Sequence, residues 1–274
     1  EGVSDRTLSD YRSRHKKLAD QFGSISLASF SHKEHWIPFS QKLGKASRRF
    51  ENHLRILFNF AVEKEYLSQS PLKGKLSKAG KLKKPEILNE DQWRSLLEKA
   101  IQTEDELGLL AYVVLALYLG LRPESEIPNL SWKSINLKTK KLFIADDETG
   151  KSDLGRTLRI PENAVKLLRL CRKQTGPIIS SVHSHRRKWD KLREQAGFIK
   201  RNLDGKITEN LWIPDYCRHT AASMIFAKTQ SKEQVRAFLG HTNDATMRHY
   251  VNHGENLDEE AERFYSFTPP PRLS

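Results

Sequence analysis

The stretch LGLLAYVVLALYLGL, Leu107 to Leu121, holds no charged residue and is followed at once by Arg122. It is too short to span a bilayer, which takes about 20 apolar residues. It predicts instead a helix buried on all sides, with other elements packed around it. A chain of 274 residues has room for such packing. The length suggests about two domains, each able to bury a core. Arg122 is then placed at the end of the buried helix.

The first 70 residues read as helical. SDRTLSDYRSRHKKLADQFG spaces Leu8, Tyr11, His15, Leu18 and Phe22 as a helix does, with Gly23 as a stop. Ser31 is the expected N-cap of SHKEHWIPFSQKLG. KASRRFENHLRILFNFAVEKEYL puts Phe50, Leu54, Leu57, Phe58, Ala61 and Tyr66 on one apolar stripe, and Lys45, Arg48, Arg49, His53 and Arg55 on the other face. That second face is either plainly solvated or laid along a phosphate backbone. PLKGKLSKAGKLKKPE, residues 71–86, has two prolines, two glycines, six lysines and no apolar period, and predicts an inter-domain linker. Lys73, Lys75, Lys83 and Lys84 join Arg48, Arg49 and Arg55 as candidate nucleic-acid contacts.

Beyond the linker, Asn89 and Gln92 form a capping box ahead of DQWRSLLEKAI. INLKTKKLFIADDETGKSDLGRTLRIP alternates around turn-rich breaks, as a small antiparallel sheet does. NAVKLLRLCRK, SSVHSHRRKWDKLREQAG, DYCRHTAASMIFAKT and KEQVRAFLG return to helical patterns, and Ser231 with Gln234 makes a second capping box. The expected class is mainly α (α+β), with a helical domain over 1–70, a basic linker over 71–86 and a mixed domain over 87–274.

Lys plus Arg number 47 and Asp plus Glu 34, a net charge of +13. Such an excess points to a polyanionic partner, nucleic acid first, because neutralised phosphates release counterions. A basic protein without such a partner is the plainer alternative. The two cysteines, Cys171 and Cys217, lie far apart and form no CxxC pair. That excludes a disulfide framework and a cysteine zinc site, and fits a reducing, cytoplasmic setting. EGVSDRTLSD shows no signal peptide, and Glu at position 1 fits a processed or trimmed chain.

Several polar residues fall at expected element ends: Arg122 after the buried helix, Lys151 in the turn ETGKSDLG, Arg218 and His219 opening an apolar helix, and His241 after the FLG stop. Two arginines, a lysine and a histidine could together hold one phosphate, since a guanidinium fork matches its oxygens. Tyr250 would then supply an attacking oxygen, with no metal or other cofactor. LGHTNDATMRHYVNH also allows a metal reading, because His249 and His253 are spaced i,i+4. No acidic third ligand lies at a signature spacing, and a plain surface helix would leave Arg122, Lys151 and Arg218 unexplained.

GLRPESE, the Lys151 turn, RHT, LGH and YVNH, in that order, resemble the tyrosine recombinase or phage integrase family over residues 87–254. The resemblance implies that Arg122 and Arg218 clamp the scissile phosphate and that Lys151 protonates the leaving 5′-hydroxyl. It implies further that His241 hydrogen-bonds the phosphate and that Tyr250 attacks to form a 3′-phosphotyrosyl link. The implied fold is two domains forming a C-shaped clamp on double-stranded DNA. The implied assembly is a homotetramer on two sites, with monomers or dimers on single sites and no membrane. A type IB topoisomerase shares this chemistry, and an accessory DNA-binding protein with a decayed site is a further alternative.

Two departures from the family's pattern stand out. Asp215 takes the place of the usual histidine three residues before Arg218. Ser125 takes that of the usual glutamate, flanked by Glu124 and Glu126, and the interval to Trp132 is one residue longer. Asp215 is expected to pair with a nearby cation such as Arg218 or to accept the phenol proton; otherwise it is a simple helix-start carboxylate. Leu257, Ala261, Phe264 and Tyr265 predict a C-terminal helix, docked on a neighbouring protomer as the resemblance implies, or else packed on its own domain.

Overall fold

A computed structural model describes residues 5–74, 84–145, 155–171, 174–240 and 256–269. The chain divides into two compact units, residues 1–81 and 82–274. Among the described residues no helix is long and apolar enough to cross a membrane.

The first unit is built on α1 (Asp5–Phe22), α2 (Ile37–Leu43) and α3 (Ser47–Glu63). Leu18, Phe30, Trp36, Phe50, Leu54, Phe58 and Leu72 form its core. Ser31 caps the turn before α2, its hydroxyl accepting from the Glu34 amide. Two expectations for α3 are overturned. His53 is buried at 3% exposure, against Tyr11 with ring centroids 4.8 Å apart, and its Nε2 lies 3.0 Å from Arg14 Nη1. Tyr66 lies beyond the helix and is 68% exposed. The sequence period could not show that α1 offers His53 an aromatic and polar surface, or that the chain turns at Glu65, where φ is 59°.

The second unit centres on α6 (Leu110–Leu119), every residue of which is buried. The apolar run starts earlier, in the short α5 (Glu104–Leu107), and Gly108 breaks it at φ 63°. Buried Glu104 then accepts the Leu110 amide at 2.8 Å, placing a carboxylate at the positive end of α6. Around α6 pack α4 (Glu90–Gln102), α7 (Glu162–Arg169) and α9 (Tyr216–Thr229). The Asn89–Gln92 capping box of α4 is complete in both directions. A three-stranded antiparallel sheet of β1 (Ile135–Asn136), β2 (Lys141–Ile144) and β3 (Arg156–Arg159) pairs in the order β1-β2-β3.

After α8 (Val182–Gln195) comes an unforeseen hairpin, β4 (Ile199–Arg201) with β5 (Ile207–Asn210). Its strands are mostly exposed, so no apolar alternation marks them. At α10 (Lys232–Leu239) only half of the second capping box forms among the described residues. The Ser231 hydroxyl accepts from the Gln234 amide, but the Ser231 amide donates to Thr229 Oγ1 rather than to the Gln234 side chain.

The last helix, α11 (Leu257–Ser266), packs on its own unit against α9 and α7. Phe264 is fully buried, edge-on to Trp93, and its carbonyl accepts from Tyr118 Oη at 3.2 Å and Asn163 Nδ2 at 3.0 Å. We therefore expect Phe264→Ala to destabilise this unit by about 3–5 kcal/mol, read as a shifted urea midpoint at unchanged slope. A loss under about 1 kcal/mol would show that α11 is not part of this core.

Candidate active site

The residues that carry chemistry lie where the elements around α6 end. Gly120 follows α6 in the left-handed conformation, at φ 59°, and turns the chain toward Arg122. A Cβ at Gly120 would come within 3.0 Å of the Phe238 ring and 3.2 Å of Ala221, so the close approach of α6, α9 and α10 needs a glycine here. Arg122 is followed by a tight turn, in which the Glu126 amide donates to the Arg122 carbonyl at 3.1 Å. That turn brings the Glu126 carboxylate back onto Arg122.

Glu126 is the centre of the site. Its carboxylate is fully buried and accepts from the Arg122 amide at 2.8 Å and from Arg122 Nη1 at 3.1 Å. Arg156, the first residue of β3, reaches it as a fork, with Nη1 at 2.8 Å and Nη2 at 3.1 Å. Arg218, in the first turn of α9, lies 3.7 Å away, an ion pair rather than a hydrogen bond. Burial pushes the Glu126 carboxyl up. The hydrogen bond from Arg156, the charges of Arg156 and Arg218 and the Arg122 amide outweigh that, and hold the group below the usual carboxylate range.

The arginines are also tied to helix ends. Arg218 is fully buried and donates through Nη1 to the Gly120 carbonyl at 2.5 Å and through Nη2 to the Leu239 carbonyl at 2.7 Å. Arg156 Nε donates to the Phe238 carbonyl at 3.0 Å. These carbonyls lie at the C-termini of α6 and α10, where the helix dipole favours cations. Gly240, at φ 70°, closes α10, and a Cβ there would sit 2.7 Å from Arg156 Nη1.

Of the residues singled out by sequence, Arg122 and Arg218 are thus brought together. Lys151, His241 and Tyr250 lie outside the described residues, as do Lys75 and Lys83. Asp215 does not meet the expectation of a pair with Arg218. The helix begins at Tyr216, and Asp215 precedes it in the left-handed conformation at φ 59°, so the two do not share an i,i+3 helical face. Its side chain is exposed and makes no ion pair or cap hydrogen bond among the described residues. Arg48, Arg49, Arg55, Lys73 and Lys84 are exposed.

Two residues of the site were missed. Glu126 had been noted only as a neighbour of Ser125, yet it is the carboxylate that reaches Arg122, one residue later than the resemblance places it. Arg156 carried a readable signal. It shares the inward phase of β3 with buried Leu158, while Thr157 and Arg159 face out, and a cation on that phase needs a buried anion.

Removing the anion should be costly. Glu126→Gln should lower stability at neutral pH by about 3–5 kcal/mol, as when a buried pair loses one partner. Because the folded carboxyl titrates below its unfolded value of about 4.3, its contribution is present above that pH and fades as pH falls through the folded value. The Gln variant should lack this acid-side fading in a pH series of denaturant melts. Identical pH profiles for the two proteins would contradict the assignment.

The family model described as Phage integrase family matches residues 86–256. The Tyrosine recombinase XerC-like protein of Caldanaerobacter subterraneus subsp. tengcongensis is 24% identical, over 77% of this chain and 63% of the relative. The chain therefore spans about 63% of that curated relative's length. Among solved structures, the Tn1549 transposon integrase in complex with transposon right end DNA aligns at TM-score 0.69 and 14% identity, covering 96% of this chain and 94% of that one. A lambda integrase dimer bound to a COC′ core site aligns at TM-score 0.68 and 18% identity, covering 93% and 92%. At these identities the likeness is one of fold: mainly helical, with small antiparallel sheets.

Proposed function

The chain belongs to the phage integrase family, and from that premise we propose that it cuts and rejoins double-stranded DNA at specific sites through a 3′-phosphotyrosyl intermediate. The observation that carries this reading is the convergence of Arg122, after the end of α6, and Arg218, in the first turn of α9, on one buried carboxylate. Two guanidiniums fixed in this way are suited to a phosphodiester whose non-bridging oxygens gain charge during attack. From Leu239 the chain continues directly into the stretch that carries His241 and Tyr250.

In the proposed reaction the Tyr250 oxygen forms a bond to phosphorus as the bond from phosphorus to the 5′-oxygen breaks. Lys151 delivers a proton to that leaving oxygen, and His241 donates to the phosphate. The phenol proton passes to a base, for which Asp215 is the candidate. The phosphodiester energy is kept in the tyrosyl link, and a 5′-hydroxyl from the partner strand reverses the step. The assembly proposed for strand exchange is a homotetramer on two DNA sites.

One structural fact shapes this proposal. Arg218 has no exposed surface and both its Nη atoms hold main-chain carbonyls. Its contact with a phosphate thus requires a local rearrangement around its guanidinium when DNA engages.

Tyr250→Phe should abolish the covalent protein–DNA adduct on nicked suicide duplexes while leaving DNA binding nearly intact. Arg122→Ala should slow cleavage by roughly 100- to 1,000-fold. Lys151→Ala should also be slow, but a 5′-phosphorothiolate leaving group should restore it, since sulfur leaves without a proton. Adduct retained in the Phe variant, or rescue of Arg122→Ala but not of Lys151→Ala, would overturn these roles.

A further inference from the structure

Arg156 takes no part in the proposed reaction, yet all three of its guanidinium nitrogens are committed. Nη1 and Nη2 fork onto the two oxygens of Glu126 at 2.8 and 3.1 Å, and Nε donates to the Phe238 carbonyl at 3.0 Å. The side chain is only 8% exposed, so water competes weakly for these bonds. The same Glu126 oxygens serve the other two arginines. Oε1 accepts from Arg122 Nη1, while Oε2 accepts from the Arg122 amide and lies 3.7 Å from Arg218 Nη1.

The bond to Phe238 has a counterpart beside it. The Leu239 carbonyl accepts from Arg218 Nη2, so neighbouring carbonyls in the last turn of α10 are held by different arginines. Arg156 therefore bears on Arg218 from two sides, through Glu126 and through α10. A fork also fixes the plane and direction of a carboxylate, which a single bond cannot do. In sequence Arg156 follows Lys151 by five residues, and Phe238 precedes His241 by three. Gly240 completes the arrangement, because a Cβ there would lie 2.7 Å from Nη1 and 3.0 Å from Cζ of Arg156. Room for this guanidinium is part of what glycine supplies at 240.

We infer that Arg156 is a positioning residue for strand cleavage, aligning Arg122 through Glu126 and Arg218 through the end of α10 without itself holding the DNA. This rests on the DNA-recombinase reading above and adds a residue to which that reading gives no role. Donors stabilise a transition state only if they are already in place when charge develops. A misplacement of about 1 Å can slow a reaction about 100-fold. DNA affinity, by contrast, rests on many phosphate contacts along the duplex and does not depend on this alignment. A lysine at 156 would keep the charge beside Glu126. Its single nitrogen cannot fork onto the carboxylate and also bond Phe238 from a separate atom.

The test follows adduct formation on nicked suicide duplexes, DNA affinity and thermal melting for the full chain and for Arg156→Lys. The variant should form adduct about 10- to 100-fold more slowly, at nearly unchanged affinity and well below its melting midpoint. The acid limb of its rate profile should also move. Burial raises the Glu126 carboxyl, and the hydrogen bond and charge of Arg156 are the strongest of the influences that lower it. Losing the fork lets that carboxyl rise, so activity that needs Glu126 ionised is lost at a higher pH than in the wild type. Gly240→Ala, which leaves every charge in place but crowds the guanidinium, is the second variant. It should slow cleavage and move the acid limb the same way, and its cost should shrink in the Arg156→Lys background.

Wild-type cleavage rates in Arg156→Lys would overturn the proposal. So would a slowing matched by an equal loss of DNA affinity, which would make Arg156 a binding residue. If Arg156→Lys does not fold, Gly240→Ala decides: slower cleavage with an unmoved acid limb is backbone strain alone and sinks the inference. Adduct formation by the wild-type chain is read separately. Wild-type adduct with unaffected variants sinks only the role of Arg156, whereas no adduct from the wild-type chain sinks the strand-breaking reading itself.

Discussion

Burying Glu126 fixes the geometry of the second unit's chemistry. An isolated carboxylate excluded from water is prohibitively unfavourable, so its neighbours must bring charge and hydrogen-bond donors to it. Here they come from three places in the sequence: the turn after α6, the start of β3 and the first turn of α9. Each arginine in turn needs more acceptors than one carboxylate offers. The carbonyls of Gly120, Phe238 and Leu239 supply them. The ends of α6 and α10 are thereby fixed against β3 and α9 by a polar network that tolerates little displacement.

This network explains why glycines sit at 120 and 240. Both cap a helix in the left-handed conformation, which alone favours glycine. At Gly120 any side chain would also enter the contact between α9 and α10, and at Gly240 it would displace Arg156. The LG pair before His241 is therefore set by packing as much as by chemistry. The wholly apolar α6 has the complementary role: it offers no polar surface of its own and serves as the rigid post on whose end the charged groups are mounted.

Much of this was legible because strong local signals and tertiary structure agree. The run that became α6, the Asn89 capping box, the β2–β3 pairing and the helix stop at Gly240 are all cases where a short pattern has one stable outcome. Arg122 and Arg218 were legible from motif order. What escaped needed information from distant residues. His53 looked polar and outward until α1 supplied Tyr11 and Arg14 as partners. Asp215 looked like a partner for Arg218 on one helical face, and nothing in its neighbours announces a left-handed backbone. The hairpin of β4 and β5 carried a turn signal in Asp204–Gly205 but no alternating strand to go with it.

The chain uses arginine in two opposite ways. In the second unit Arg122, Arg156 and Arg218 are withdrawn from solvent, fixed by a common anion and by helix carbonyls. Such groups have little freedom to move, because each is held by both the carboxylate and helix-end carbonyls or amides of the same network. On α3 Arg48, Arg49 and Arg55 are exposed and interleaved with asparagine and apolar side chains, so they keep their rotamer freedom. Changes on α3 leave the buried network of the second unit untouched, because none of its members lies there.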